Sequence, residues 1–162
     1  MNTPSLQRLT TRYQADEDRL CLTGELPTGH TVPLWLTQRL CLRLLPCLLD
    51  WLNAQSRELR QALAWQGVAQ QAATAALTPS PPVLSEATPA LVNAVDVTWG
   101  EAVTLRFRHG ETLHATLSLD AEALRQWLGI MHMQWQQAGW PSDLWPAWMR
   151  SGTSPAPAPW LH

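Results

Sequence analysis

The sequence predicts an α+β fold made of two βββα pseudo-repeats, their antiparallel sheet packed on a long central helix and on a second amphipathic helix. Three observations predict it. Apolar and polar residues alternate in six short runs, three in each half of the chain, and period-two alternation marks half-buried antiparallel strands. A helical spacing of apolar residues follows the third run and again the sixth,. A proline-rich stretch separates the two sets,.

In the first half, residues 8–13 place Leu9, Thr11 and Tyr13 on one face. Residues 19–26 do the same with Leu20, Leu22 and Leu26, and residues 31–36 with Val32, Leu34 and Leu36. Residues 15–18 and 27–30 supply the turns,. Pro33 has no N–H to donate, so the third strand is expected at an edge, or paired on one side at that residue. Thr37 is the expected N-cap of a helix over residues 38–71, kinked or restarted at Pro46. Arg39, Arg43, Asp50, Asn53 and Arg57 form one polar stripe, and leucines cover most of the remaining circumference. An apolar surface this wide must be covered on two sides. One cover is the sheet. The other is the second half of the chain or a second copy meeting Leu42 and Leu49, which would make a homodimer.

Residues 77–89 contain four prolines among Ser and Thr and are predicted to be an extended linker,. Strands are expected at residues 94–99, 102–108 and 112–119, with a tight hairpin at His109 and Gly110. Asp120 caps a helix over residues 121–138, whose core side is Leu124, Trp127, Leu128, Met131, Trp135 and Ala138,. Gly139 and Pro141 end it. Residues 1–140 are thus read as one domain, with a first unit at 7–77, a linker at 78–90 and a second unit at 91–140. Residues 141–162 are a Trp/Pro-rich segment and a tail expected to be flexible from residue 151.

Composition narrows the function. Of 162 residues, 46% are hydrophobic and 15% charged, too apolar for a disordered chain. Three cysteines cannot staple a disulfide mini-protein,. A net charge of -2 gives no whole-molecule pull toward nucleic acid or acidic membranes,. All eleven basic residues are arginine, which fits a GC-rich coding bias better than selection for a forked donor. The N-terminus has no signal-peptide core, and no apolar run approaches the ~20 residues of a membrane span. A cytoplasmic protein with reduced thiols and no membrane insertion is expected.

No catalytic motif is present, and neither a cofactor nor a metal is expected. Cys41 and Cys47 lie in apolar helix surroundings, which suits structural thiols better than nucleophiles. Their side chains sit about 120° apart on the helix, and Met131, His132 and Met133 diverge, so neither set converges as ligands do. The outward strand faces carry Arg8, Arg12, Arg19, Arg106, Arg108 and His114 between Thr23, Thr104, Thr112 and Thr116. Arg12, Arg19, Arg106 and Arg108 are the candidate anion-binding face. Trp35 alone offers base stacking there, so nucleic-acid binding ranks third.

Tryptophan is the strongest signal, at ten residues. Trp51, Trp65, Trp99, Trp127 and Trp135 lie in predicted elements and read as core. Trp140, Trp145, Trp148 and Trp160 follow the last long helix in proline-punctuated sequence. They are the candidate partner-binding residues, tryptophan being enriched at interface hot spots; the alternative is a lid on the chain's own core. The resulting expectation is a non-enzymatic protein–protein interaction module: an adaptor, assembly factor or small subunit of a bacterial complex. The alternative is a small-molecule or nucleotide-sensing regulatory domain.

Overall fold

The alternating runs become strands. In a computed structural model that describes residues 4–55 and 62–151, the first half forms β1 (Arg8–Gln14), β2 (Arg19–Glu25), β3 (Thr31–Leu36), α1 (Gln38–Gln55) and α2 (Ala62–Ala76). The second half forms β4 (Ala90–Leu91), β5 (Ala94–Thr98), β6 (Val103–His109), β7 (Thr112–Leu119), α3 (Ala121–Ala138) and α4 (Ala147–Ser151). The described chain is therefore mixed α+β, with two sheets and four helices.

One sheet has the order β1-β2-β3-β4 and the other β5-β6-β7. Neighbours are antiparallel except β3 and β4, which are parallel. Two short segments join the sheets. Residues 90–98 run from one to the other: β4 pairs with β3, the Asn93 amide donates to the Arg108 carbonyl, and β5 pairs with β6. At the chain start, the Leu6 amide donates to the Thr116 carbonyl, and the Thr116 amide to the Pro4 carbonyl, each at 2.8 Å. The Gln7 amide then donates to the Glu25 carbonyl, and β1 begins. This early segment explains why Thr116, expected outward, is buried.

The inward leucines of β2 and β3, the inward residues of β6 and β7, and the buried sides of α1 and α3 form one apolar cluster. On α1, Leu40, Cys41, Leu44, Leu45, Leu48, Leu49 and Leu52 are buried, while Leu42, Arg43, Pro46, Cys47, Asp50 and Asn53 face out. Pro46 sits on the solvent side of α1, where the hydrogen bond it cannot make is least missed. Thr37 caps the helix, its Oγ1 accepting from the Leu40 amide at 3.1 Å. Asp120 caps α3 through the Ala123 amide, and Gly139 ends it at a φ of 70°.

The structure departs from expectation at several points. The long helix is two helices, α1 and α2, and the second runs on to Ala76. β3 is not an edge strand, but at Pro33 it pairs on one side only, with Thr23 of β2, as the second of the two expectations had it; β4 joins at Leu34 and Trp35. Cys47 is exposed, because its turn of α1 faces solvent. Trp65 and Trp99 are 44% and 45% exposed rather than core. Trp65 lies on the outward side of α2, and Trp99 lies past the end of β5, stacked on Trp51 at 6.3 Å.

The proline-rich segment is extended, and it is docked. Arg8 donates to the Pro81 carbonyl at 2.7 Å, and the Val83 amide to Thr10 Oγ1 at 2.8 Å. Thr31 Oγ1 donates to Ser85 Oγ at 2.8 Å. Residues 81–85 therefore strap the outer face of the four-stranded sheet.

Candidate interaction surface

Residues 61–85 contain no charged side chain, and α2 lies within that run. Its inward stripe is Gln66, Gln70 and Ala73, all buried. Trp65, Val68, Ala72, Ala75 and Ala76 are exposed and Ala69 is half-buried. At 100° per residue these six span about 120° of one side. The usual surface helix turns its apolar stripe to the core; α2 turns Gln66 and Gln70 inward and leaves Trp65 and Val68 outward, with Gln71 and Thr74 also exposed.

Gln66 and Gln70 are inside for a reason. Gln66 Nε2 donates to the Leu52 carbonyl at 3.0 Å, one of the last carbonyls of α1, and to Asn53 Oδ1 at 3.3 Å. Gln70 Nε2 donates to the Arg125 carbonyl at 2.9 Å, and Gln126 Nε2 donates to the Ala73 carbonyl at 3.0 Å. Gly129 of α3 faces Gln70, and a Cβ there would lie 3.3 Å from Gln70 Nε2. The α2–α3 contact is thus close and polar. Arg125 is 5% exposed. It donates to Gln66 Oε1 at 2.5 Å and lies 5.5 Å from the centre of the Trp148 ring. Burial lowers its pKa.

These bonds account for the inner side of α2. The outer side has no such account among the described residues. Val68 is 59% exposed, and Met133 on α3, one turn beyond Gly129, is 42% exposed,.

The candidate residues beyond α3 lie elsewhere. Trp140, Trp145 and Trp148 are buried. Tyr13, Trp140, Trp135, Trp145 and His132 form a continuous chain of rings, with neighbouring centres 4.8–5.8 Å apart. Trp140 Nε1 donates to Asp18 Oδ1 at 3.0 Å, and Trp135 Nε1 to the Pro141 carbonyl at 2.8 Å. The segment folds back as a lid, with Trp148 and Met149 of α4 seated near α2. Trp160 lies outside the described residues. Of the pair expected at an oligomer face, Leu49 is 5% exposed and Leu42 43%, so only Leu42 is on the surface.

The four arginines divide between the sheets. Arg12 and Arg19 are on β1 and β2, Arg106 and Arg108 on β6. Arg108 is held by Asp96 through bonds of 2.6 and 3.0 Å. Arg12 has no hydrogen-bond or ion-pair partner among the described residues. It borders a groove of about 250 Å³ between the sheet and the strap, with Thr10, Gln14, Cys21, Thr23, Trp35 and Leu84 also on its walls.

No group of residues that could hold a metal occurs among the described residues. Burial pushes the Cys41 thiol up to about 12, which suppresses the thiolate a nucleophile needs. No described helix is long and apolar enough to cross a membrane. Comparison with protein-family models, curated proteins and solved structures returns no match.

Proposed function

We propose that the protein is a protein–protein interaction module, an adaptor or small subunit that docks through the outward face of α2. One observation carries this reading: Trp65 and Val68 stand 44% and 59% exposed on a helix whose Gln66 and Gln70 are buried. Solvating such a face costs roughly 25 cal/mol for each Å² of apolar surface, and no contact within the described fold requires it. Exposed apolar faces of this kind are where partners bind. The test is a photo-crosslinking residue at position 68 in the full chain, with Glu122, exposed on α3, as control. A protein adduct from position 68 alone is expected. Equal or absent crosslinking at the two positions overturns the reading.

The groove beneath the strap favours a second reading, a small-molecule sensor. An unpaired Arg12, on the same groove wall as Trp35 with Cys21 between them, suits a planar ligand bearing a carboxylate or phosphate,. A thermal-shift screen of such compounds should give a shift that Arg12→Ala abolishes. An unshifted melt across the screen, or a shift that survives Arg12→Ala, removes this reading.

We further read the chain as a duplicated βββα unit with α1 at its centre. Two things support it. Residues 4–14 and 90–98 each pair first in parallel with the last strand of the other half, and then antiparallel with the next strand of their own. The buried residues of α1 belong to the same cluster as those of both sheets.

A further inference from the structure

The two sheets end in β1, β4, β5 and β7. Three of these edges are covered or short. At β1 the Tyr13 amide donates to Gln134 Oε1 of α3 at 2.8 Å, and α3 packs along the strand. At β7 the Thr116 amide and the Thr116 carbonyl bond to Pro4 and Leu6. β4 is two residues long. β5 differs. It is five residues long, and among the described residues Ala94–Thr98 hydrogen-bond to β6 alone. Such an edge presents unpaired N–H and C=O groups, which are a template for another strand.

The helix beside this edge stands off from it. α3 closes on β1, whereas α1 leaves a groove of about 330 Å³ along β5. Leu40 and Leu44 of α1 and Val95 and Val97 of β5 are its apolar walls, and Arg43 lies on its α1 side. No carboxylate lines it. Arg39 stands one turn before Arg43. Both are exposed, and neither guanidinium has a hydrogen-bond or ion-pair partner among the described residues. On the opposite face of the sheet, Asp96 is already neutralised by Arg108. We propose that β5 takes an added strand from a partner protein, an extended acidic segment that sets apolar side chains in this groove and a carboxylate against Arg43.

The backbone ladder supplies the affinity of such a contact, and the alternate side chains supply its specificity. Charge decides the occupant. A second copy joined β5 to β5 about a twofold axis would keep both α1 helices on one side of the sheet. It would offer Val95 and Val97 but no carboxylate, and it would gather the unpaired arginines of both copies. Residues 152–162 contain three prolines and no acidic side chain, and a proline cannot donate to a ladder. A foreign acidic strand answers both the open edge and the arginines. This surface uses α1 and β5, so the crosslinking result at position 68 neither supports nor removes it.

An NMR titration of the isotope-labelled full chain tests this. The probe is the end-blocked peptide Thr-Val-Thr-Glu-Thr-Val-Thr, taken to about 2 mM. Its Val, Glu and Val share one face of a strand, for the groove, and its threonines the other. Amide shifts should saturate and centre on residues 94–98. Replacing the peptide's Glu by Lys should weaken binding about three- to tenfold, and so should Arg43→Glu. The two changes together should restore it. Arg43 is exposed, so the variant's circular dichroism spectrum should match the wild type's. Methylating the peptide's third and fourth amide nitrogens keeps every side chain. Adjacent amides of a strand point to opposite sides, so one of the two faces β5, and binding should be lost. Absence of saturable shifts overturns the proposal, as do shifts centred away from β5. So does an affinity that ignores either charge change, or one that survives the methylation. A chain that dimerises without peptide and protects its 94–98 amides overturns it as well, since a second copy is then the occupant.

Discussion

Asp18 accepts a hydrogen bond from the Tyr13 hydroxyl at 2.7 Å and one from Trp140 Nε1 at 3.0 Å. These bonds, the tyrosine's first, hold its pKa below the usual carboxylate value. A carboxylate with a depressed folded pKa stabilises the fold fully above the unfolded value, near 4, and loses that contribution as pH falls through the folded value. The wild-type melting temperature should therefore fall more steeply than that of Asp18→Asn below about pH 4; parallel curves would contradict this. The cysteines give a second residue-scale test. Near pH 8 a thiol reagent should label exposed Cys47 first and half-buried Cys21 next,. Cys41, pushed up to about 12, should react only on unfolding. At Gly24 an added Cβ would lie 2.5–2.9 Å from the Leu6 side chain. Gly24→Ala should cost about 1–3 kcal/mol in urea unfolding through overpacking. Thr37, Asp120 and Gly139 were legible in the sequence because a cap depends on its own few residues. The Trp140 bond to Asp18 was not, because the two residues lie 122 positions apart.

At the scale of the element, α2 was the hardest to read. Its sequence from Ala62 to Ala76 is mostly Ala and Gln, so it carries too weak an apolar stripe to reveal its phase. Placing Trp65 within a single predicted helix over residues 38–71 led to its reading as core. What turns α2 is the pairing of Gln66 with the end of α1 and of Gln70 with α3, and sequence spacing records neither. Gln66→Leu removes the donor to the Leu52 carbonyl and the acceptor of the buried Arg125. It should destabilise the chain by about 1.5–3 kcal/mol, although leucine is the more apolar residue. A neutral result in urea unfolding would show that these bonds do not orient α2. The proline-punctuated segment after α3 was unreadable for a different reason. Periodicity has no grip on irregular backbone, and the burial of Trp140, Trp145 and Trp148 depends on where the chain turns at Pro141 and Pro146.

For the whole molecule, the strand runs and the two sheet-forming halves were legible from alternation, which needs only one buried face per strand. The joins between the sheets were not. Leu6 is 5% exposed, in a segment too short to show a period. Removing residues 1–6 should lower stability by about 1.5–3 kcal/mol from the loss of buried Leu6. Hydrogen exchange at the Thr116 amide should speed up, since its acceptor is the Pro4 carbonyl; unchanged protection there would show that this join is not used in solution.

That join also sets a timetable for synthesis. Ser5 and Thr116 bridge across 111 positions. At about 5–20 residues per second, the first residues wait roughly 5–20 s for their partner to be made. During that wait β1 can pair with β2, but Leu6 has no Thr116 beside it. The interval of translation between residues 6 and 116 is thus when the nascent chain is most exposed to pairing with a stray strand.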